Sequence, residues 1–327
     1  MRAVLPPGRG SAAGKPALGE WPDPVPGVDE VLVRVAAAGL NRADLLQMRG
    51  LYPPPPGESE IPGLECAGEV VAAGSAVGSR WQAGDRVLAL LAGGGQAELV
   101  AIPHGQLMRL PRGLSLVEAA ALPEAAITAW TNLVGEGHLE AGETVLIVGA
   151  ASGVGTFAVQ LAREIGATVL VAGRSLERLA ALRELGADEL LELKPDLGEQ
   201  LRQVTGGRGV HLVLDLVGGG HVASALAGIA PGGRWVLVGL MAGRSATLDL
   251  GLLLERRVRL IGSVLRPRSR AEKAELVEAF VRFASGRLDD GRLRAVVDSV
   301  YPWANVADAY GRLERGPVLG KVVLDLA

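Results

Sequence analysis

The chain has 327 residues, room for about two domains, with 49% hydrophobic residues, 3% aromatics and a formal net charge of -3 at pH 7. That balance gives no electrostatic reason to expect a nucleic acid or a membrane surface as partner. Cys66 is the single cysteine, which excludes an intrachain disulfide and a zinc site built from several thiolates.

Met1-Arg2-Ala3-Val4-Leu5 runs directly into strand-like sequence with no signal-peptide pattern, so a cytoplasmic protein is expected. Residues 1 to 122 read as short strands punctuated by Pro and Gly clusters, such as Pro22-Asp23-Pro24 and Pro53 to Gly57. Strands are expected at Glu30–Val35, Ala67–Ala73, Arg86–Leu91 and Ala97–Ile102, a mostly-β pattern. A short helix is expected over Asn41–Met48, with Leu45, Leu46 and Met48 as its apolar positions. Val117 to Val134 is the most apolar run, but Glu118, Pro123, Glu124 and Asn132 break it as a membrane span.

From 123 to 267 strand and helix alternate. Strands are expected at Thr144–Val148, Thr168–Ala172, Glu189–Leu193, Val210–Asp215, Arg234–Val238 and Arg259–Ile261. Helices are expected at Val154–Ile165, Leu176–Leu185, Leu197–Val204 and Val222–Gly228, with Gly166, Gly186 and Gly206 as stops. Six strands with intervening helices imply a parallel, doubly wound sheet. After 268 a long helix, Arg270–Ala284, precedes strand-like runs at Arg294–Val300 and Lys321–Leu326 and a helix at Asn305–Leu313. This last part is expected to complete the first domain.

The chemistry is concentrated in Thr144 to Gly155, a buried strand running into Gly149-Ala150-Ala151-Ser152-Gly153-Val154-Gly155 and then a helix. Strand, tight turn and helix form the geometry that binds a dinucleotide pyrophosphate, because small residues admit the phosphates and the helix start offers free N–H groups. The N–H groups of Gly153 and Val154 are expected to face the pyrophosphate, with the Ser152 hydroxyl beside them. The second strand ends Gly173-Arg174-Ser175, with no carboxylate to bind ribose hydroxyls or repel a 2′-phosphate. Arg174, Ser175 and Arg178 can donate to that phosphate, so NADPH is the expected cofactor.

Six ordered motifs carry a family resemblance. They are Gly39-Leu40-Asn41-Arg42-Ala43-Asp44, Gly50-Leu51-Tyr52-Pro53-Pro54, Gly63-Leu64-Glu65-Cys66-Ala67-Gly68, Leu122-Pro123-Glu124 with Thr128-Ala129-Trp130, Gly232-Gly233-Arg234-Trp235-Val236, and Gly320-Lys321-Val322-Val323-Leu324. With them the chain resembles the medium-chain dehydrogenase/reductase superfamily, and within it the zinc-free quinone oxidoreductases related to zeta-crystallin. The Ala and Ser in the nucleotide turn are typical of that group. The resemblance implies an α/β fold: a Rossmann doubly wound parallel sheet domain, 123–267, inserted in a GroES-like mostly-β domain formed by 1–122 and 268–327. It also implies NADPH use and a homodimer, often paired through the edge strands of two Rossmann sheets.

Zinc alcohol dehydrogenases of the superfamily place a cysteine and a histidine where this chain has Asn41 and Leu64, so no metal site is expected. The four histidines, His104, His138, His211 and His221, lack ligand spacing and read as surface or packing residues. By the same resemblance Thr128, Val217, Gly239, Met241, Ser263 and Leu265 are candidate neighbours of the nicotinamide. Lys321 is a candidate phosphate contact. Leu193 stands where relatives often carry a tyrosine, and its neighbour Lys194 is a candidate stand-in for it.

Hydride transfer to a quinone needs orientation and a hydrogen bond to the oxygen that gains charge. Tyr52 and Asn41 are the expected donors, and Asp44 is expected to be structural. Leu46 stands where relatives often carry a second tyrosine. The expected activity is therefore NADPH:quinone oxidoreduction on a quinone or other electrophilic carbonyl. An NADPH-dependent reductase of enals or enones stays open, as does a non-catalytic NADPH-binding protein of crystallin-like or sensor type.

Overall fold

The computed structural model describes residues 1–8 and 15–326. The chain divides into two compact units, Met1–Ile127 with Leu265–Ala327, and Thr128–Val264.

The first segment of the first unit contributes β1 (Arg2–Val4), β2 (Leu18–Glu20), β3 (Glu30–Leu40), β4 (Glu65–Ala73), β5 (Arg86–Leu90), β6 (Leu99–Pro103) and β7 (Leu107–Arg109). β3 runs five residues beyond its expected end at Val35. Its second half, Ala36-Ala37-Ala38-Gly39-Leu40, lacks alternation because it is buried on both faces, where small side chains suit close packing. The core beneath β3 to β6 holds Val31, Val33, Val70, Val87, Val100, Ile102 and Trp81. The expected short helix is Arg42–Met48, with Asn41 outside it as the N-cap.

The second unit has six parallel strands: β8 (Thr144–Val148), β9 (Thr168–Gly173), β10 (Glu189–Glu192), β11 (Val210–Asp215), β12 (Ile229–Leu237) and β13 (Arg259–Gly262). Their order is β10-β9-β8-β11-β12-β13, the 3-2-1-4-5-6 arrangement of a Rossmann sheet. β8 is fully buried from Val145 to Val148, which is why its sequence is a continuous aliphatic run. β12 begins at Ile229 rather than Arg234. An irregularity in its pairing with β11 absorbs the Pro231-Gly232-Gly233 kink, where Gly232 takes φ +79. The helix Gly153–Ile165 ends at Gly166 with φ 95, the left-handed C-cap that glycine adopts at least cost. The helix expected over Leu176–Leu185 is one α turn, Leu176–Leu179, continued as a tighter 3₁₀ turn, Ala180–Arg183.

The chain end returns to the first unit as β14 (Val297–Pro302) and β15 (Lys321–Asp325). β15 lies antiparallel against the second half of β3, pairing Val322 with Leu40 and Leu324 with Ala38. The sheet order is β14-β15-β3-β4-β5-β7, with β6 also on β3, a GroES-like mostly-β arrangement. The helix after 268 spans Arg270–Asp289, five residues longer than expected. Its buried stripe of Val277, Phe280 and Ala284 continues to Leu288, so packing carries the helix through Gly286. Among the described residues no helix is long and apolar enough to cross a membrane.

Candidate functional site

In the second unit the nucleotide turn is built from small residues in tight contact. Ser152 caps the helix: its hydroxyl accepts from the Gly155 N–H at 3.1 Å and donates to the Gly149 carbonyl at 2.9 Å. The N–H groups of Gly153 and Val154 open the helix and have no acceptor among the described residues. They are available to an anion. At Gly155 a Cβ would stand 2.5 Å from the Ala150 Cα, so only glycine lets helix and strand approach this closely.

The carboxyl ends of the parallel strands converge on this turn. A Cβ at Gly149 (φ +83) would meet Val217 Cγ2 at 2.8 Å, and one at Gly239 would meet the Leu216 carbonyl at 2.2 Å. The loop bearing Val217 is pinned by the fully buried Asp215. That carboxylate accepts from the N–H groups of Val217 and Gly218, each at 2.9 Å, and its other oxygen meets His221 Nε2 at 3.1 Å and Trp235 Nε1 at 3.2 Å. Thus His221 packs inside the fold as a partner of Asp215. Ser263, just past β13, is anchored by its N–H to the Leu237 carbonyl at 3.0 Å. Its hydroxyl is enclosed and has no protein partner among the described residues. Met241 is exposed, whereas Thr128 is buried with its carbonyl accepting from Asn132 at 2.7 Å. Leu265 is buried and belongs to the first unit.

At the tip of β9 Arg174 and Arg178 are exposed, and neither has a hydrogen-bond or ion-pair partner among the described residues. Ser175 caps the following turn without using its side chain. Lys194 is committed to Glu192 at 2.7 Å, which holds its ammonium above its usual pKa. Free N–H groups, a cradle that a Cβ would fill, an orphaned serine hydroxyl and two unpaired guanidinium groups together fit a nicotinamide dinucleotide.

In the first unit four of the sequence motifs meet at one buried cluster. Asn41 donates from Nδ2 to Glu65 Oε1 at 2.8 Å and accepts from Lys321 Nζ at 2.7 Å, while Lys321 pairs directly with Glu65. Glu65 Oε2 accepts from the Glu124 N–H at 2.9 Å. Asp44 closes a capping box on the Asn41 N–H at 2.7 Å and accepts from the Gly63 N–H at 3.1 Å, so it is structural, as expected. Burial pushes the Asp44 carboxyl up to about 6. Burial, reinforced by the Glu65 charge, pushes Glu124 up to about 8.

Two of the expected site residues are engaged within the protein. Lys321 is 5% exposed with its ammonium held by Glu65 and Asn41, so it is an internal counter-charge, and a phosphate contact would strand Glu65. Asn41 bridges the same pair, with Nδ2 donating to Glu65 and Oδ1 accepting from Lys321, and its second Nδ2 hydrogen faces the Gly39 carbonyl at 3.5 Å. The donor set also differs from what zinc needs. Leu64 is buried and cannot ligate, Asn41 is engaged, and Lys321 already neutralises Glu65. Among the described residues no three His, Cys, Asp or Glu side chains are grouped to hold a metal.

Tyr52 keeps its hydroxyl free of protein partners among the described residues. The Arg266 guanidinium lies 5.1 Å from the centroid of its ring. Arg266, Glu124 and the buried Lys273 were missed in the sequence. The one available signal was Glu124, a lone carboxylate inside the apolar run Ala119 to Ile127.

A Rossmann sheet with an open pyrophosphate turn, joined in one chain to a GroES-like unit, defines a two-domain nicotinamide-dependent oxidoreductase. The family model described as Zinc-binding dehydrogenase matches residues 153–282, and that described as Alcohol dehydrogenase GroES-like domain matches 27–112. The human synaptic vesicle membrane protein VAT-1 homolog is 32% identical over 316 residues, covering 92% of this chain and 80% of its own. The Bos taurus quinone oxidoreductase-like protein 2 is 32% identical over 299 residues, covering 91% and 85%. A mycobacterial protein solved in complex with NADPH superposes with a TM-score of 0.87 at 27% identity over 99% of both chains. The chain belongs to the medium-chain dehydrogenase/reductase superfamily.

Proposed function

We propose that the protein is a zinc-free, NADPH-dependent oxidoreductase of the zeta-crystallin-like quinone oxidoreductase type. The observation that carries the cofactor choice is the tip of β9: Arg174 and Arg178 exposed and unpaired, Ser175 with a free hydroxyl, and no carboxylate in the strand end Val171 to Ser175. Two guanidinium forks there match the oxygens of a 2′-phosphate. The Gly153 and Val154 N–H groups hold the pyrophosphate at the helix start, and the Ser263 hydroxyl takes the carboxamide as its missing partner.

Bound NADPH supplies the hydride. The protein's part is to orient the acceptor and to meet the charge that develops on it. Tyr52 donates a hydrogen bond to the acceptor oxygen that gains charge. A quinone needs no stronger acid, and a relative named quinone oxidoreductase-like supports the choice. An enal or enone is the second acceptor class, favoured by the partly exposed apolar Leu46. The proposal extends to a homodimer in the cytoplasm. β13 ends the sheet with Leu260 44% exposed on it, and a lone buried thiol suits a reducing compartment.

The test is NADPH oxidation followed against a panel of quinones and a panel of enals, with NADH as control. Turnover with quinones is expected. Turnover with enals alone replaces quinone by enal, and tight NADPH binding without turnover on either panel removes the enzymatic reading.

A further inference from the structure

Arg266 is a buried cation whose protein partners do not explain it. It is 3% exposed, and its three hydrogen bonds all end on neutral acceptors: the Ala92 carbonyl at 2.8 Å, the Tyr52 carbonyl at 3.0 Å and Gln47 Oε1 at 2.6 Å. Gln47 is itself fixed, donating to the Glu60 carbonyl at 2.8 Å. Among the described residues no carboxylate pairs with Arg266. A charge taken out of water without a directly paired counter-ion is costly, and an uncharged donor would serve three carbonyl-type acceptors as well. Asp44, Glu124 and Glu58 act on the charge from beyond ion-pair distance, and the group it lies against is the face of Tyr52, 5.1 Å from guanidinium carbon to ring centroid. One side chain therefore grips Tyr52 twice, at its backbone carbonyl and at its ring, and leaves its hydroxyl without a protein partner.

We propose that Arg266 is the positioning residue of Tyr52, holding the phenol so that its hydroxyl stays aimed at the acceptor and remains a ready hydrogen-bond donor. The inference rests on the reading of Tyr52 as that donor. The electrostatics run the same way. Burial pushes the Tyr52 hydroxyl above its usual pKa, the Arg266 charge pulls it back, and Glu124 opposes Arg266. The other charged groups felt at Arg266 and its neighbour Lys273 are Asp44, Glu58 and Arg270. Glu58 lies near Arg270, and Asp44 is spent on the capping box and Gly63, which leaves Arg266 as the group that favours the ionised phenol.

The experiment is a four-membered cycle of wild type, Tyr52→Phe, Arg266→Gln and the double variant. It is read as kcat for NADPH oxidation by a small 1,4-benzoquinone, with tyrosinate absorbance titrated in each folded protein. Arg266→Gln is expected to lower kcat about tenfold and to raise the titration midpoint that disappears in Tyr52→Phe. In the Tyr52→Phe background the same change is expected to cost nothing further. An equal loss with and without the phenol, or an unmoved midpoint, overturns the proposal. If Tyr52→Phe alone leaves kcat intact, the donor reading falls, while the midpoint still reports whether Arg266 governs the phenol. Should Arg266→Gln not fold, Arg266→Lys carries the cycle. It keeps the charge without the three-way grip and is expected to keep the midpoint while lowering kcat only where Tyr52 is present.

Discussion

Lys321 and Glu65 form an ion pair inside the GroES-like unit, 5% and 0% exposed, and the Asn41 amide bridges the two. Each comes from a different sequence motif, so what reads as three separate signatures is one cross-link between β3, β4 and β15. The glycines beside them belong to the same construction. A Cβ at Gly39 would stand 2.5 Å from Glu65 Oε1 and 2.6 Å from the Ala120 carbonyl, and one at Gly320 would stand 2.0 Å from the Val296 carbonyl. Replacing Lys321 by Met leaves Glu65 charged in the interior, a loss of roughly 3–5 kcal/mol. Chemical denaturation of Lys321→Met is expected to show that loss, and the ratio of NADPH to NADH KM in any folded fraction is expected to stay at the wild-type value. A rise confined to NADPH would restore Lys321 as a phosphate contact.

Why the motif's place was legible and its role was not follows from range. Periodicity and turn chemistry are local, so the six strands of the Rossmann sheet and the helix Leu197–Val204 could be drawn from the sequence. β3 was cut short because Ala36-Ala37-Ala38 carries no alternation, and its partner β15 lies some 280 positions away in the chain. The partner of Lys321 is likewise remote, and so is the partner of Arg266: Gln47 is 219 positions away. A resemblance gives positions to such residues, but only packing shows which lone charge another has already neutralised.

Removing both guanidinium groups at the tip of β9 tests the cofactor assignment. Arg174→Ala with Arg178→Ala is expected to raise the NADPH KM by about 10- to 100-fold, each fork making charge-assisted hydrogen bonds worth roughly 1.5–3 kcal/mol at full burial and less at this exposed site. The NADH KM is expected to be spared, since no 2′-phosphate is present. Steady-state kinetics with both nucleotides checks this, and an equal effect on the two would move the phosphate elsewhere.

Gly155 is a sharper probe of the turn than its neighbours. The atoms a methyl would strike, Cα, C and O of Ala150, are all backbone and cannot swing aside. Gly155→Ala is expected to lower stability by about 1–3 kcal/mol and to weaken both NADPH and NADH binding together, because it pushes the helix start away from the strand. Calorimetric titration with each nucleotide separates this from the arginine change, which discriminates between them.

Glu124 makes stability depend on pH in a direction opposite to that of a salt-bridged acid. Its carboxyl holds a proton up to about pH 8 in the folded protein, against 4.5 for the ordinary side chain. Between those values the native state binds more protons than the unfolded state, so stability falls as pH rises through the window. Asp44, raised from 3.8 to about 6, adds a slope of the same sign at lower pH. Glu124→Gln keeps the shape of the protonated acid and removes its titration. Its melting temperature is expected to match wild type near pH 5 and to exceed it near pH 8 to 9. With allowance for water reaching a partly exposed side chain, the gain is on the order of 1–3 kcal/mol. Thermal unfolding of both proteins across this range provides the check. Curves that stay parallel from pH 5 to 9 would mean that Glu124 is ionised throughout. The charge opposing Arg266 at Tyr52 would then be present at neutral pH as well.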